Sequence, residues 1–173
     1  SAAVFDKYGS LISNYRKTAL PNDFERDCFT PGGGPEVFEF EGVSCSVLIC
    51  YDIEFPELAR HCAGLGAELV LVPTALRAKW RLVSDAIVPA RSYENSIFVG
   101  YCDYAADVTT PEFSGTSSIC GPDGKHLCRA AGPEGLVMAR IDTAAVDQRK
   151  ADFDFLSDLK RYDLEPRRMA KIA

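Results

Sequence analysis

The run Val43-Ser44-Cys45-Ser46-Val47-Leu48-Ile49-Cys50-Tyr51-Asp52-Ile53-Glu54-Phe55-Pro56-Glu57, followed through to Val72, decides the fold. Residues 47–50 are apolar on both faces, as a strand in the middle of a layered sheet must be. Pro56 suits the first turn of a helix by its fixed φ, and Glu57 by its charge at the positive end of the dipole. Leu58, Ala59, Cys62 and Leu65 recur at helical spacing, and Gly64 and Gly66 supply the stop. Glu68-Leu69-Val70-Leu71-Val72 reads as a second strand buried on both faces and ended by Pro73. Strand, helix and strand over 43–72 make a βαβ unit, which places the chain in the α/β class.

Upstream, Val37 to Phe40 is expected to pair with the strand Val43 to Cys50 through a tight Glu41-Gly42 turn, and Thr30 to Pro35 is a loop. The chain opens at Ser1 as if inside a strand, turns at Asp6 to Ser10 and continues as a strand from Leu11 to Tyr15. Glu25 falls in what reads as a polar loop. Downstream, Lys79 to Asn95 reads as an amphipathic helix with Trp80, Val83, Ile87 and Ala90 on one side, Trp80 in the core and a kink at Pro89. Ile97 to Tyr101 is a further strand, Ser114 to Arg129 a hairpin around Pro122-Asp123-Gly124, and Gly135 to Ile141 a last strand. From Asp142 the tail is charged and dotted with Phe153, Phe155 and Tyr162, either helical or laid over a neighbour.

The 173 residues are 47% hydrophobic and 25% charged, enough for one core. A net charge of −6 argues against a nucleic-acid or anionic-membrane surface. Seven cysteines form no CxxC pair, several lie in apolar runs, and no signal peptide or long apolar span is seen. These features point to a reducing, cytoplasmic setting. Only His61 and His126 could act as imidazole bases, and a His-rich metal site is close to excluded, so no metal is expected.

Cys50 ends a buried strand just before a turn into a helix, where a side chain is exposed and backbone N–H groups converge. A thiol there is activated as a nucleophile; the bland alternative is one more small buried hydrophobe. The acids Asp52, Glu54 and Glu57 that follow are more than packing requires. Lys17 at a strand end and Glu25 would, taken singly, pass for surface residues. His61 should point away from the thiol along its own helix, which leaves a Cys-His hydrolase poorly supported. Arg91 and Glu94, at i,i+3 spacing, suit an ion pair.

Taken together, several motifs are similar to those of the nitrilase superfamily of carbon–nitrogen hydrolases. They are Tyr15-Arg16-Lys17-Thr18, Glu25, Phe29-Thr30-Pro31-Gly32, Ile49-Cys50-Tyr51-Asp52-Ile53-Glu54-Phe55-Pro56-Glu57 and Gly66-Ala67-Glu68-Leu69 through Val72-Pro73-Thr74-Ala75. Ala90-Arg91 with Glu94-Asn95, Gly115-Thr116-Ser117-Ser118, Pro122-Asp123-Gly124 and Asp158-Leu159-Lys160-Arg161 extend the series in order along nearly the whole chain.

The resemblance implies an αββα four-layer sandwich, with 1–141 the C-terminal portion of the hydrolase domain and 142–173 a tail that contacts a dimer partner. It implies Cys50 as nucleophile, Lys17 as oxyanion stabiliser and Glu25 as the glutamate holding the lysine and substrate. The Tyr51 N–H would be a second oxyanion donor, and Thr74, Ala75 and Arg77 would lie at the pocket wall. The family's general-base glutamate precedes the Tyr-Arg-Lys motif by more than the sixteen residues present, so the chain reads as lacking the family's N-terminal segment. Ala19 replaces the family's usual histidine. The run after the cysteine is most similar to amidases of short amino-amides, such as the 5-aminopentanamidases. Glu54 would complement a substrate ammonium, or else cap the following helix; Arg77 could instead select an anionic substrate. The implied reaction is amide hydrolysis through a thioester, without cofactor or metal, by a homodimer or larger homo-oligomer. A nitrilase, an N-carbamoyl amidohydrolase or a non-catalytic nitrilase-like binding protein are the alternatives.

Overall fold

A computed structural model of the chain describes residues 1–105, 112–130 and 135–162. Strands β1 (Ala2–Phe5) and β2 (Leu11–Tyr15) form the expected antiparallel hairpin, pairing Ala2 with Tyr15. Its turn is closed by the Asp6 side chain, which accepts from the Tyr8 and Ser10 N–H groups. The polar stretch after it is not a loop but helix α1 (Asp23–Cys28). Asn22 caps it by accepting from the Glu25 N–H at 2.9 Å, and because α1 buries no residue it carries no apolar stripe for a sequence to show.

Strands β3 (Val37–Phe40) and β4 (Val43–Val47) follow, then a 3₁₀ turn over Cys50–Glu54, helix α2 (Pro56–Gly64) and β5 (Leu69–Thr74). Helix α3 (Val88–Asn95), β6 (Phe98–Asp103), β7 (Ser118–Cys120) and β8 (His126–Arg129) complete a six-stranded sheet of order β3-β4-β5-β6-β7-β8. β4, β5 and β6 run parallel, and the outer pairs are antiparallel.

Register shows which face the helices cover. Ser46, Val70, Val99 and Cys120 are paired across four strands, and the Ser46 hydroxyl donates to Cys62 Sγ on α2 at 3.3 Å. On this face Val70, Val72, Val99 and Tyr101 pack with Ala59, Cys62 and Val88 in one buried cluster. Each buried valine of the cluster contributes about 1.5–3 kcal/mol. Leu71 points the other way and is 36% exposed, so β5 is buried on one face rather than on both as expected.

The helix expected over 79–95 is broken. A 3₁₀ turn (Ala78–Trp80) gives way to a π turn (Val83–Ile87), in which the Val88 N–H reaches back to the Val83 carbonyl, before α3 begins. Pro89 has no N–H to give, and the wider turn accommodates that. Neither turn keeps the 3.6-residue period. Trp80, expected in the core, is accordingly 58% exposed, under the Lys79 ammonium at 5.1 Å, and Ala90 is exposed as well. Gly135 to Ile141 forms no strand: Leu136 and Met138 stand exposed, and Val137, Ala139 and Ile141 are only half-buried. The tail forms α4 (Ala144–Asp152) and α5 (Phe155–Leu159). Arg149 lies over the rings of Tyr93, Phe153 and Phe155 at 4.5–5.6 Å and ties both helices to α3. No helix among the described residues is long and apolar enough to cross a membrane.

Candidate active site

Ligands of parallel sheets gather at the carboxyl ends of the strands; Cys50 and Thr74 lie there, whereas Lys17 follows β2 of the hairpin and Glu25 sits on α1. β4 ends at Val47, three residues sooner than expected, and Cys50 opens the 3₁₀ turn that follows. Its φ of 51° is left-handed, a strain of roughly 1–2 kcal/mol for a residue with a Cβ. The chain reverses there, with the Asp52 N–H donating to the Ile49 carbonyl at 3.1 Å. Cys50 and Tyr51 are half-buried, and the Tyr51 ring meets Phe55 edge-on at 5.0 Å.

The Lys17 ammonium and Glu25 carboxylate are 2.6 Å apart, their side chains only 16% and 23% exposed. They share a cavity of about 390 Å³ with Arg16, Leu20, Phe29 and Ile49, the residue next to the cysteine. The lysine's backbone is held by the Thr30–Gly32 loop. The Gly32 N–H donates to the Lys17 carbonyl at 2.8 Å, and the Arg16 guanidinium donates to the Thr30 and Pro31 carbonyls at 3.2 and 3.1 Å. A Cβ on Gly32 would stand 2.1 Å from the Arg16 carbonyl oxygen.

The three acids after the cysteine part company. Glu57 is exposed on α2, Glu54 is half-buried and Asp52 is fully buried. Asp52 accepts from the Tyr15 hydroxyl (2.8 Å), the Ala19 N–H (2.7 Å) and the Ile49 N–H (3.0 Å). Sequence reasoning flagged the acidic cluster but not this residue. Burial pushes the Glu54 carboxyl above its ordinary range, and it makes no ion pair among the described residues. Nor does Glu54 cap α2: the N-cap position belongs to Phe55, with no side-chain cap. Arg91 forms the expected ion pair with Glu94 at 2.9 Å, and also donates to the Ile53 and Glu54 carbonyls at 3.0 and 2.8 Å, fastening α3 to the cysteine turn.

After β5, Thr74 is half-buried while Ala75 and Arg77 are exposed, Arg77 bridging to Phe113. The loop is fixed by Asp103, a second residue the sequence reading missed, which accepts from the Leu76 and Thr116 N–H groups at 2.8 and 2.9 Å. Burial drives the Tyr101 phenol well above its ordinary range, and the Asp103 charge adds a smaller push in the same direction. His61 is exposed on α2. His126 Nδ1 lies 3.3 Å from Cys120 Sγ, a thiol that burial raises to about 11, so this imidazole meets an inert cysteine rather than Cys50.

A family model described as carbon-nitrogen hydrolase matches residues 1–151. The chain belongs to the carbon–nitrogen hydrolases. The chain is 38% identical over 156 residues to a protein of Pseudomonas protegens named "Hydrolase in pqqF 5'region", covering 90% of this chain and 55% of that one. It is 31% identical to a 2-oxoglutaramate amidase of Bacillus subtilis, over 91% of this chain and 61% of the relative. Among solved structures, a variant of the amidase from Nesterenkonia sp. AN1, with acrylamide added at its active-site cysteine, superposes with a TM-score of 0.76 at 34% identity. That match covers 88% of this chain and 60% of the amidase, and bears out the expected nitrilase-type α/β sandwich. The chain thus spans little more than half the length of these relatives.

Proposed function

We propose that this carbon–nitrogen hydrolase cleaves short amides to a carboxylate and ammonia through a thioester on Cys50. The observation that carries the reading is the left-handed Cys50 turn at the end of a parallel strand, with Ile49 lining the cavity of the Lys17–Glu25 pair. The Cys50 sulfur attacks the amide carbonyl, and the Lys17 ammonium with the Tyr51 N–H stabilises the resulting oxyanion. Glu25 holds the ammonium in place. One proton moves to the leaving nitrogen as the C–N bond breaks, and water then cleaves the thioester, returning a proton to sulfur.

Glu54 is the group we assign to substrate choice. A half-buried carboxyl four residues after Cys50, with no ion pair among the described residues, suits an ammonium on the substrate. That favours amino-amides over plain aliphatic amides. Arg77, exposed at the loop after β5, would favour an anionic substrate instead. We place Thr74 and Ala75 at the pocket wall on the same grounds of position.

The test is ammonia release from a panel of aliphatic, amino- and carboxylate-bearing amides and the matching nitriles. Turnover is expected for amides and is lost in Cys50→Ala; turnover that survives the substitution overturns the reading, and turnover of nitriles alone replaces amidase by nitrilase. We further propose a cytoplasmic protein, which seven free cysteines suit. Residues 1–141 would form the hydrolase portion. Residues 142–173 would carry a homodimer contact, for which Phe153, Leu159 and Tyr162 offer exposed apolar surface.

A further inference from the structure

The Asp52 side chain is fully buried, and no ion pair of the described residues includes it. Burying a carboxylate away from water is costly unless its oxygens are met by donors. Here three donors meet it, and their places in the chain are the informative part. Tyr15 lies two residues before Lys17, Ala19 two residues after it, and Ile49 immediately before Cys50. Oδ2 takes the Tyr15 hydroxyl and the Ile49 N–H, and Oδ1 takes the Ala19 N–H. The Tyr15 hydroxyl is also 2.9 Å from Thr18 Oγ1, so both flanks of Lys17 are drawn onto the one carboxylate.

We propose that Asp52 is a positioning residue that sets the Lys17 ammonium against the Cys50 thiol; the inference rests on the catalytic roles assigned above. Being fully buried, Asp52 meets no substrate. It acts through the two backbone segments it joins. Both segments are anchored a second time from outside, Lys17 by the Gly32 N–H and the cysteine turn by Arg91, so Asp52 fixes their mutual distance rather than their separate folding.

Asp52→Asn keeps the shape but not the acceptors. An amide oxygen can still serve Tyr15 and Ile49, while its NH₂ faces the Ala19 N–H, donor against donor. The Ala19 segment, and Lys17 with it, then moves away. In the enzyme kcat is expected to fall by roughly a hundredfold, as for a small misplacement of reacting groups, with KM changed by less than about twofold.

Turnover alone would not separate positioning from general damage, so the deciding readout is the rate of Cys50 alkylation by iodoacetamide against pH. It is followed by mass spectrometry of the Cys50 peptide, alongside a melting curve. A thiol that has lost a nearby ammonium reacts only at higher pH, so the Asp52→Asn profile is expected to shift upward. A variant that melts lower but keeps the wild-type kcat and alkylation profile overturns the proposal. Should Asp52→Asn not fold, Tyr15→Phe decides, since it removes one arm alone. A several-fold loss of kcat with a smaller shift in the same direction supports the proposal, and unchanged values of both overturn it. If Cys50→Ala keeps amide turnover, the catalytic assignment fails, and the alkylation profile still decides whether Asp52 couples Lys17 to this thiol.

Discussion

Strain at Cys50 separates what the residue does for the fold from what it does for chemistry. A left-handed backbone suits glycine and penalises every residue with a Cβ. Cys50→Gly is therefore expected to be inactive and yet more stable than Cys50→Ala by about 1 kcal/mol; equal melting points would show that the turn stores no strain. Lys17→Met should lower kcat by about 10²–10³-fold, the size of a lost oxyanion donor, which initial rates on the best amide would measure. At this scale the sequence showed the residues that carry a motif, Cys50, Lys17 and Glu25. It hid Asp52 and Asp103, because a buried acid is recognised by its partners, and the most distant of these, Tyr15 and Leu76, lie 37 and 27 residues away.

Elements hold the site by close approach as much as by hydrogen bonds. The Thr30–Gly32 loop lies against the Lys17 segment so tightly that Gly32→Ala must displace it. The expected result is a loss of activity out of proportion to any fall in melting temperature, read by kcat and thermal unfolding of the same preparation. The broken helix before α3 is tied to β8 by Asp85, which Arg129 and, less strongly, Arg81 hold below the ordinary carboxyl value of 3.8. A lowered value stabilises the fold above the unfolded-state value, and that gain disappears as the pH falls through the native one. Because the groups are partly exposed, it amounts to less than about 1 kcal/mol. Asp85→Asn should thus melt slightly below wild type at neutral pH and converge with it in acid below 3.8. Element type was legible where periodicity was clean, as in β4, α2 and β5. It was not legible in α1, whose existence depends on the Asn22 cap, nor around Trp80, where 3₁₀ and π turns replace the helical period.

Across the whole molecule the cysteines divide by depth. Burial raises Cys45, Cys62 and Cys120 to about 11, whereas Cys28 and Cys102 are exposed and Cys50 and Cys128 are half-buried. Alkylation of the native protein at pH 8 followed by peptide mapping should label the second group and leave the first untouched until denaturant is added. Labelling of Cys45 or Cys62 in the native state would contradict the packing of α2 on the sheet. The α/β class was legible from one βαβ unit because doubly apolar strands and an amphipathic helix are global signals. The open face at Leu71 was not, since a sequence shows how apolar a strand is but not what lies on it. The hydrogen bonds of Asp52 also have a consequence in time. Two of them join residues 33 and 37 positions apart, contacts that require closing long loops and so form late. The acquisition of native Cys50 reactivity during refolding should therefore lag behind the gain of helix signal, making this thiol a clock for the completion of its own scaffold.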